Sequence, residues 1–73
     1  MTYTPRELTV RRGDRVIWVN RDLLAHTATS AERRFDSKEI RPQEAWTWVP
    51  DAAGEFPYVC SFHPTMGGKV VVR

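Results

Sequence analysis

A single cysteine, Cys60, stands in the 73 residues of this chain, which excludes an internal disulfide. Domains this short bury a modest share of their surface, and many lean on disulfides or a bound metal. Here a metal, a partner chain or an efficient core has to serve instead. One thiol by itself does not identify a redox compartment. No run of about 18 apolar residues occurs, so no helical membrane span is encoded. The opening MTYTPREL lacks the apolar stretch of a secretory leader. That start fits a mature form, an excised domain or a cytosolic protein equally. Lysine is scarce, with two against nine arginines, and nine acidic residues leave a net charge of +2. The two signs are mixed: Arg11, Arg12 and Arg15 flank Asp14, and Arg33 and Arg34 follow Glu32. The dense basic stripe of a nucleic-acid binder is missing. A mixed-charge, solvated surface is the plain account, and a patch that steers an acidic partner is the sharper one. Internal repeats, low-complexity tracts and sustained helical periods are absent as well.

What is present is a series of short β-type runs divided by turn residues. ELTVR alternates, with Leu8 and Val10 on one side, and RRGD (11–14) reads as a turn. RVIWVN (15–20), rich in branched and aromatic residues, predicts a strand buried on both faces. RDLLAHTATS starts as a loop and becomes a short strand after His26. The polar stretch 31–44 offers only Phe35 and Ile40 as anchors and has room for a helical turn. AWTWVP sets Trp46 and Trp48 on one face, read as core packing and not as an electron relay. PDAAGE is a turn. EFPYVC places Phe56, Tyr58 and Cys60 on one face, and its Pro57 requires a strand start or an unpaired position. KVVVR closes the chain as a last strand. Short strands at this spacing predict one all-β domain over residues 1–73, a β-sandwich.

YVCSFHPTM (58–66) gathers the only cysteine, one of two histidines and the only internal methionine. Cys60, His63 and Met66 follow a strand end at Cys-x2-His-x2-Met spacing. Taken singly, Cys60 reads as a small hydrophobe, Met66 as core filler and His26 as a surface or capped histidine. Taken together, they suggest one site. If His26, at another loop-to-strand junction, meets the loop, then two imidazoles, a thiolate and a thioether converge. Soft sulfur ligands with imidazole favour copper, and two His, one Cys and a weak axial Met is the blue-copper set. Zinc suits the set less well, because a thioether is a poor structural zinc ligand.

These residues carry a resemblance. GDRVIWVN (13–20), HT (26–27), FDS (35–37) and above all GEFPYVCSFHPTMGGKVVV (54–72) resemble the cupredoxin family, in its plastocyanin, amicyanin and pseudoazurin-like branch. The resemblance spans nearly the whole chain. It implies a Greek-key β-sandwich of cupredoxin type and one mononuclear type 1 copper held by His26, Cys60, His63 and Met66. It also implies one-electron transfer between transient redox partner proteins, without enzymatic turnover, and a periplasmic or extracellular location. Three departures stand out. The N-terminal strand usual in relatives is shortened to about TYT (2–4) or missing. The open edge this leaves makes a homodimer one expectation and a piece of a larger protein another. Thr27 stands where many relatives have Asn, so Thr27, or less directly Thr29, is expected to tie the ligand loops together. Phe62 stands where close relatives have Pro, and its N–H is expected to approach the Cys60 sulfur.

In this reading His63 is the solvent-facing ligand, with Pro64, Thr65, Leu23, Leu24 and Phe62 around it as a docking patch. The same residues bear on other functions. A copper store or chaperone favours several exchangeable, exposed Met or Cys groups, which this chain lacks. A domain excised from a larger oxidoreductase would pass electrons to a second metal site, for which the histidines are too few. A metal-free adhesion sandwich would leave the grouping of sulfur and imidazole a coincidence.

Overall fold

The computed structural model describes residues 2–73. Its elements are β1 (Glu7–Val10), β2 (Val16–Val19), β3 (Thr29–Ser30), β4 (Ala45–Trp48), β5 (Gly54–Cys60) and β6 (His63–Val72). They form a four-stranded sheet ordered β1-β6-β5-β3 and a two-stranded sheet of β2 and β4. β1 runs parallel to β6, and the other pairs are antiparallel. This is the expected sandwich.

The period-2 pattern of β5 decides what fills the space between the sheets. Phe56, Tyr58 and Cys60 point inward and are buried, while Glu55, Pro57 and Val59 point out. Trp18 from β2 lies 5.3 Å from Phe35 and 5.3 Å, edge-on, from Tyr58. Phe35 stacks 4.3 Å from Trp48. Trp46 and Trp48 share the inner face of β4 and are half-buried against this cluster, as core packing requires. The Pro57 carbonyl accepts a hydrogen bond from Ala31, just past the end of β3. Its ring nitrogen faces the same side, where no strand remains to need a donor.

Three expectations need correction. β2 is buried on one face only: Val16 and Trp18 are inside, whereas Ile17 and Val19 are 52% and 49% exposed. Its sheet has just two strands, and among the described residues nothing covers their outer side. The last strand begins at His63, well before KVVVR, because Cys60 pairs with His63 across a turn of only Ser61 and Phe62. The 31–44 stretch makes no helical turn. Its backbone is bound sideways, with Ile40 N–H donating to the His26 carbonyl at 2.7 Å and Ser37 N–H to the Ala28 carbonyl at 3.0 Å. For the N-terminal strand the second alternative holds: among the described residues no strand precedes Glu7. Residues 2–5 instead lie beside β2 along a cleft of about 510 Å³, and Tyr3 stacks edge-on against Tyr58.

Turn chemistry closes the far end. Gly13 sits at φ 89°, a left-handed conformation that suits glycine, and donates to the Pro50 carbonyl at 2.9 Å.

Candidate metal centre

Cys60 is the last residue of β5 and has no exposed surface. A register shift between Val59 and Cys60 turns the strand end toward the β5–β6 connection. The Thr27 N–H donates to the Cys60 sulfur at 3.4 Å. Burial pushes the thiol up, and backbone N–H groups, that of Thr27 first and those of Phe62 and His63 after it, pull it down. The net result is a thiol below its ordinary value.

His26 is held by reciprocal backbone bonds with Ile40 and is 5% exposed. Its Nδ1 lies 3.7 Å from the Cys60 sulfur, across a separation of 34 residues. The His63 ring is 5.4 Å from that of His26, centre to centre, and partly open to solvent. Met66 is buried on β6 and lines the same cleft as His26 and Thr27. The structure therefore gathers His26, Cys60 and His63 at one end of the sandwich, with Met66 facing the adjoining cleft. Among the described residues no three His, Cys, Asp or Glu groups form a ready metal cluster by themselves. The convergent donors are a thiol and imidazoles, a set for a soft transition metal.

Thr27 ties the His26 segment to the β5–β6 turn, as expected. Its hydroxyl accepts the Ser61 N–H at 2.8 Å and meets the Thr29 hydroxyl at 2.9 Å. Thr29 in turn reaches the Ser61 hydroxyl at 3.1 Å. Leu23, Leu24 and Phe62 are 93%, 53% and 53% exposed, and Pro64 and Thr65 are exposed too.

Two residues escaped the sequence reading. Tyr3 donates its hydroxyl to the Thr27 carbonyl, and burial, with Cys60 and Tyr58 adding, pushes its phenol up. No pattern in the sequence announces that contact. Asp22 sets its carboxylate 2.7 Å from His26 Nε2. The spacing of four residues was a signal, but only a helix would have made it informative, and this segment is a loop.

The family described as "Cupredoxin-like domain" matches residues 1–72. Amicyanin from Paracoccus denitrificans is 34% identical over 78 residues, covering 100% of this chain and 60% of the relative. Amicyanin from Paracoccus versutus is 31% identical, covering 100% and 59%. The chain thus spans about three fifths of the length of these curated relatives. A solved structure of an oxidised single-substitution variant of amicyanin superposes with TM-score 0.93 at 33% identity, over 100% of this chain and 74% of that one. A reduced Cu(I) form of another amicyanin variant at pH 4 gives the same values.

Proposed function

The chain belongs to the cupredoxin-like family, and from that premise we propose that it is a type 1 copper protein that carries single electrons between redox partner proteins. The observation that carries this reading is a fully buried Cys60 thiol that receives the Thr27 N–H at 3.4 Å, with His26 Nδ1 3.7 Å from its sulfur. A buried thiol that receives N–H donors suits a metal thiolate better than a packing residue.

The donor chemistry fits copper. Cys60 supplies the thiolate, His26 and His63 the imidazoles, and Met66 the thioether. Bound there, copper supplies a one-electron Cu(I)/Cu(II) couple. The chain's own work is to hold the donors still. The Thr27–Ser61 bond fixes the two loops against each other, and the Ile40 bonds fix His26. Donors held in this way need to move little when the charge at the site changes. Burial of Cys60 and Met66 excludes water and oxidants.

Partners dock at the exposed apolar surface of Leu23, Leu24 and Phe62 beside the partly open His63. A small apolar patch suits a brief encounter. The same reading makes residues 1–73 one domain, places it in the periplasm or outside the cell, and assigns any homodimer contact to an open sheet edge. A store or chaperone is less well supported, since the single cysteine is inaccessible.

The test is a visible spectrum after one equivalent of Cu(II), repeated with Cys60→Ser. An intense thiolate-to-copper band lost in the variant is the expected result. A faint band indifferent to the substitution would leave a metal-free sandwich with a buried thiol. Reversible electrochemistry then separates carrier from store.

A further inference from the structure

A neutral imidazole has one N–H and one bare nitrogen, and a metal can take only the bare one. In His26 the nitrogen facing Cys60 is Nδ1. Something must therefore keep the proton on Nε2. In many metal sites that partner is a backbone carbonyl or a carboxylate. Here Nε2 is met by the Asp22 carboxylate at 2.7 Å.

The loop that presents Asp22 is built for the purpose by Asn20, a polar residue only 5% exposed. Its side-chain amide donates to the Leu24 and Ile40 carbonyls, both at 2.8 Å. Its side-chain oxygen accepts the Asp22 N–H at 2.9 Å. Its backbone is anchored to Glu44 and Gln43 at 2.9 and 2.8 Å. The turn from residue 20 to 24 is thus closed on itself and tied to Ile40, the residue that also brackets His26. A half-exposed aspartate on an unrestrained loop would prefer water. This one is held where its carboxylate's only hydrogen-bond partner among the described residues is the ring it faces.

We propose that Asp22 is the positioning residue of His26, holding the ring as the Nε2–H tautomer and lending it negative charge. The assignment rests on the copper reading for its consequence, though not for its geometry. With Asp22 in place, Nδ1 is bare and aimed toward Cys60. Without it the two tautomers compete, and one of them turns an N–H toward the ligand position. The carboxylate also increases the donor strength of the imidazole. That favours the more highly charged oxidation state and holds the reduction potential down.

Three measurements test this. In the metal-free, 15N-labelled protein at about pH 8, where an ordinary imidazole is neutral, the ring nitrogen shifts of His26 should report the Nε2–H tautomer. In Asp22→Ala they should report a mixture, with the amide spectrum otherwise preserved. Zn(II), a redox-inert probe, should bind Asp22→Ala about 10- to 100-fold more weakly in a chelator competition. Asp22→Asn, isosteric and still an acceptor, should keep the tautomer and raise the potential of the copper-loaded protein. An alanine variant with the wild-type tautomer and Zn(II) affinity would overturn the proposal. So would an asparagine variant of unchanged potential, which is the deciding result if the alanine variant does not fold. An Asp22-dependent tautomer in a protein that forms no visible copper band would support the positioning role and overturn the electron-carrier reading alone.

Discussion

Two single residues give the sharpest tests near the site. Phe62 keeps a backbone N–H that acts on the Cys60 sulfur alongside Thr27. Donors to a thiolate withdraw charge from it and disfavour the oxidised metal. Phe62→Pro deletes one donor and an exposed side chain, so the reduction potential should fall while the visible band persists. An equal or higher potential with intact band positions would show that the Phe62 N–H does not tune the sulfur. Tyr3 acts on stability. Its folded phenol is raised above the ordinary value of 10.0, chiefly by burial. A raised acid favours the protonated native state. Its contribution is therefore complete below about pH 10 and is lost as pH climbs toward the folded value. Thermal unfolding of the metal-free protein should show a midpoint that drops steeply above pH 10. Tyr3→Phe should unfold lower at pH 7, having lost the Thr27 contact, but show a shallower alkaline fall. Parallel alkaline curves would place the effect elsewhere.

At the scale of elements, the β5–β6 hairpin carries both the site and the core, and its tightest point is Gly68. A methyl group there would come 2.5 Å from the Tyr58 hydroxyl oxygen and 3.0 Å from the Arg6 carbonyl. Tyr58 cannot yield freely, because Trp18 and Tyr3 lean on it at 5.3 and 4.6 Å. Gly68→Ala should cost about 1–3 kcal/mol by overpacking. Gly67→Ala, whose nearest atom is the Tyr58 carbonyl at 3.4 Å, should be close to neutral. Denaturant midpoints decide, and equal stability for both variants would mean that the Tyr58 ring is mobile. The same hairpin marks what could be read in advance. Alternation over Phe56, Tyr58 and Cys60 is local and period-2, so the buried face was legible. Cys60, His63 and Met66 lie within seven residues, so their grouping was legible too. The approach of His26 depends on a 34-residue separation, and its place in the site rested on resemblance. Asp22 and Tyr3 depend on loop paths that leave no period. The outer face of β2 was not legible, because apolar composition does not say whether a second layer exists: Ile17 and Val19 look like core residues and face outward.

The whole molecule has an unpaired side on β2, since its sheet ends there. A second copy could pair with it, and the charges decide how readily. Antiparallel pairing centred on Trp18 would align Ile17 with Val19, Val16 with Asn20 and Arg15 with Arg21, so that both cores lie on the same side of the joined sheet. The exposed arginines would then face each other at both ends of a four-residue edge. Like charges directly opposite destabilise a pair, and short edges flanked by charge resist association. Residues 2–5 stand along the same cleft and would have to move aside. Sedimentation at low ionic strength should therefore find monomer. Association should appear only as salt shortens the screening length, which is roughly 3 Å at 1 M. Arg15→Gln combined with Arg21→Gln should shift the onset to lower protein concentration. A dimer already present at low salt, and indifferent to both changes, would require another interface. The exposed faces of β2 and β4, with Ile17, Val19 and Val49 uncovered, would be the place to look.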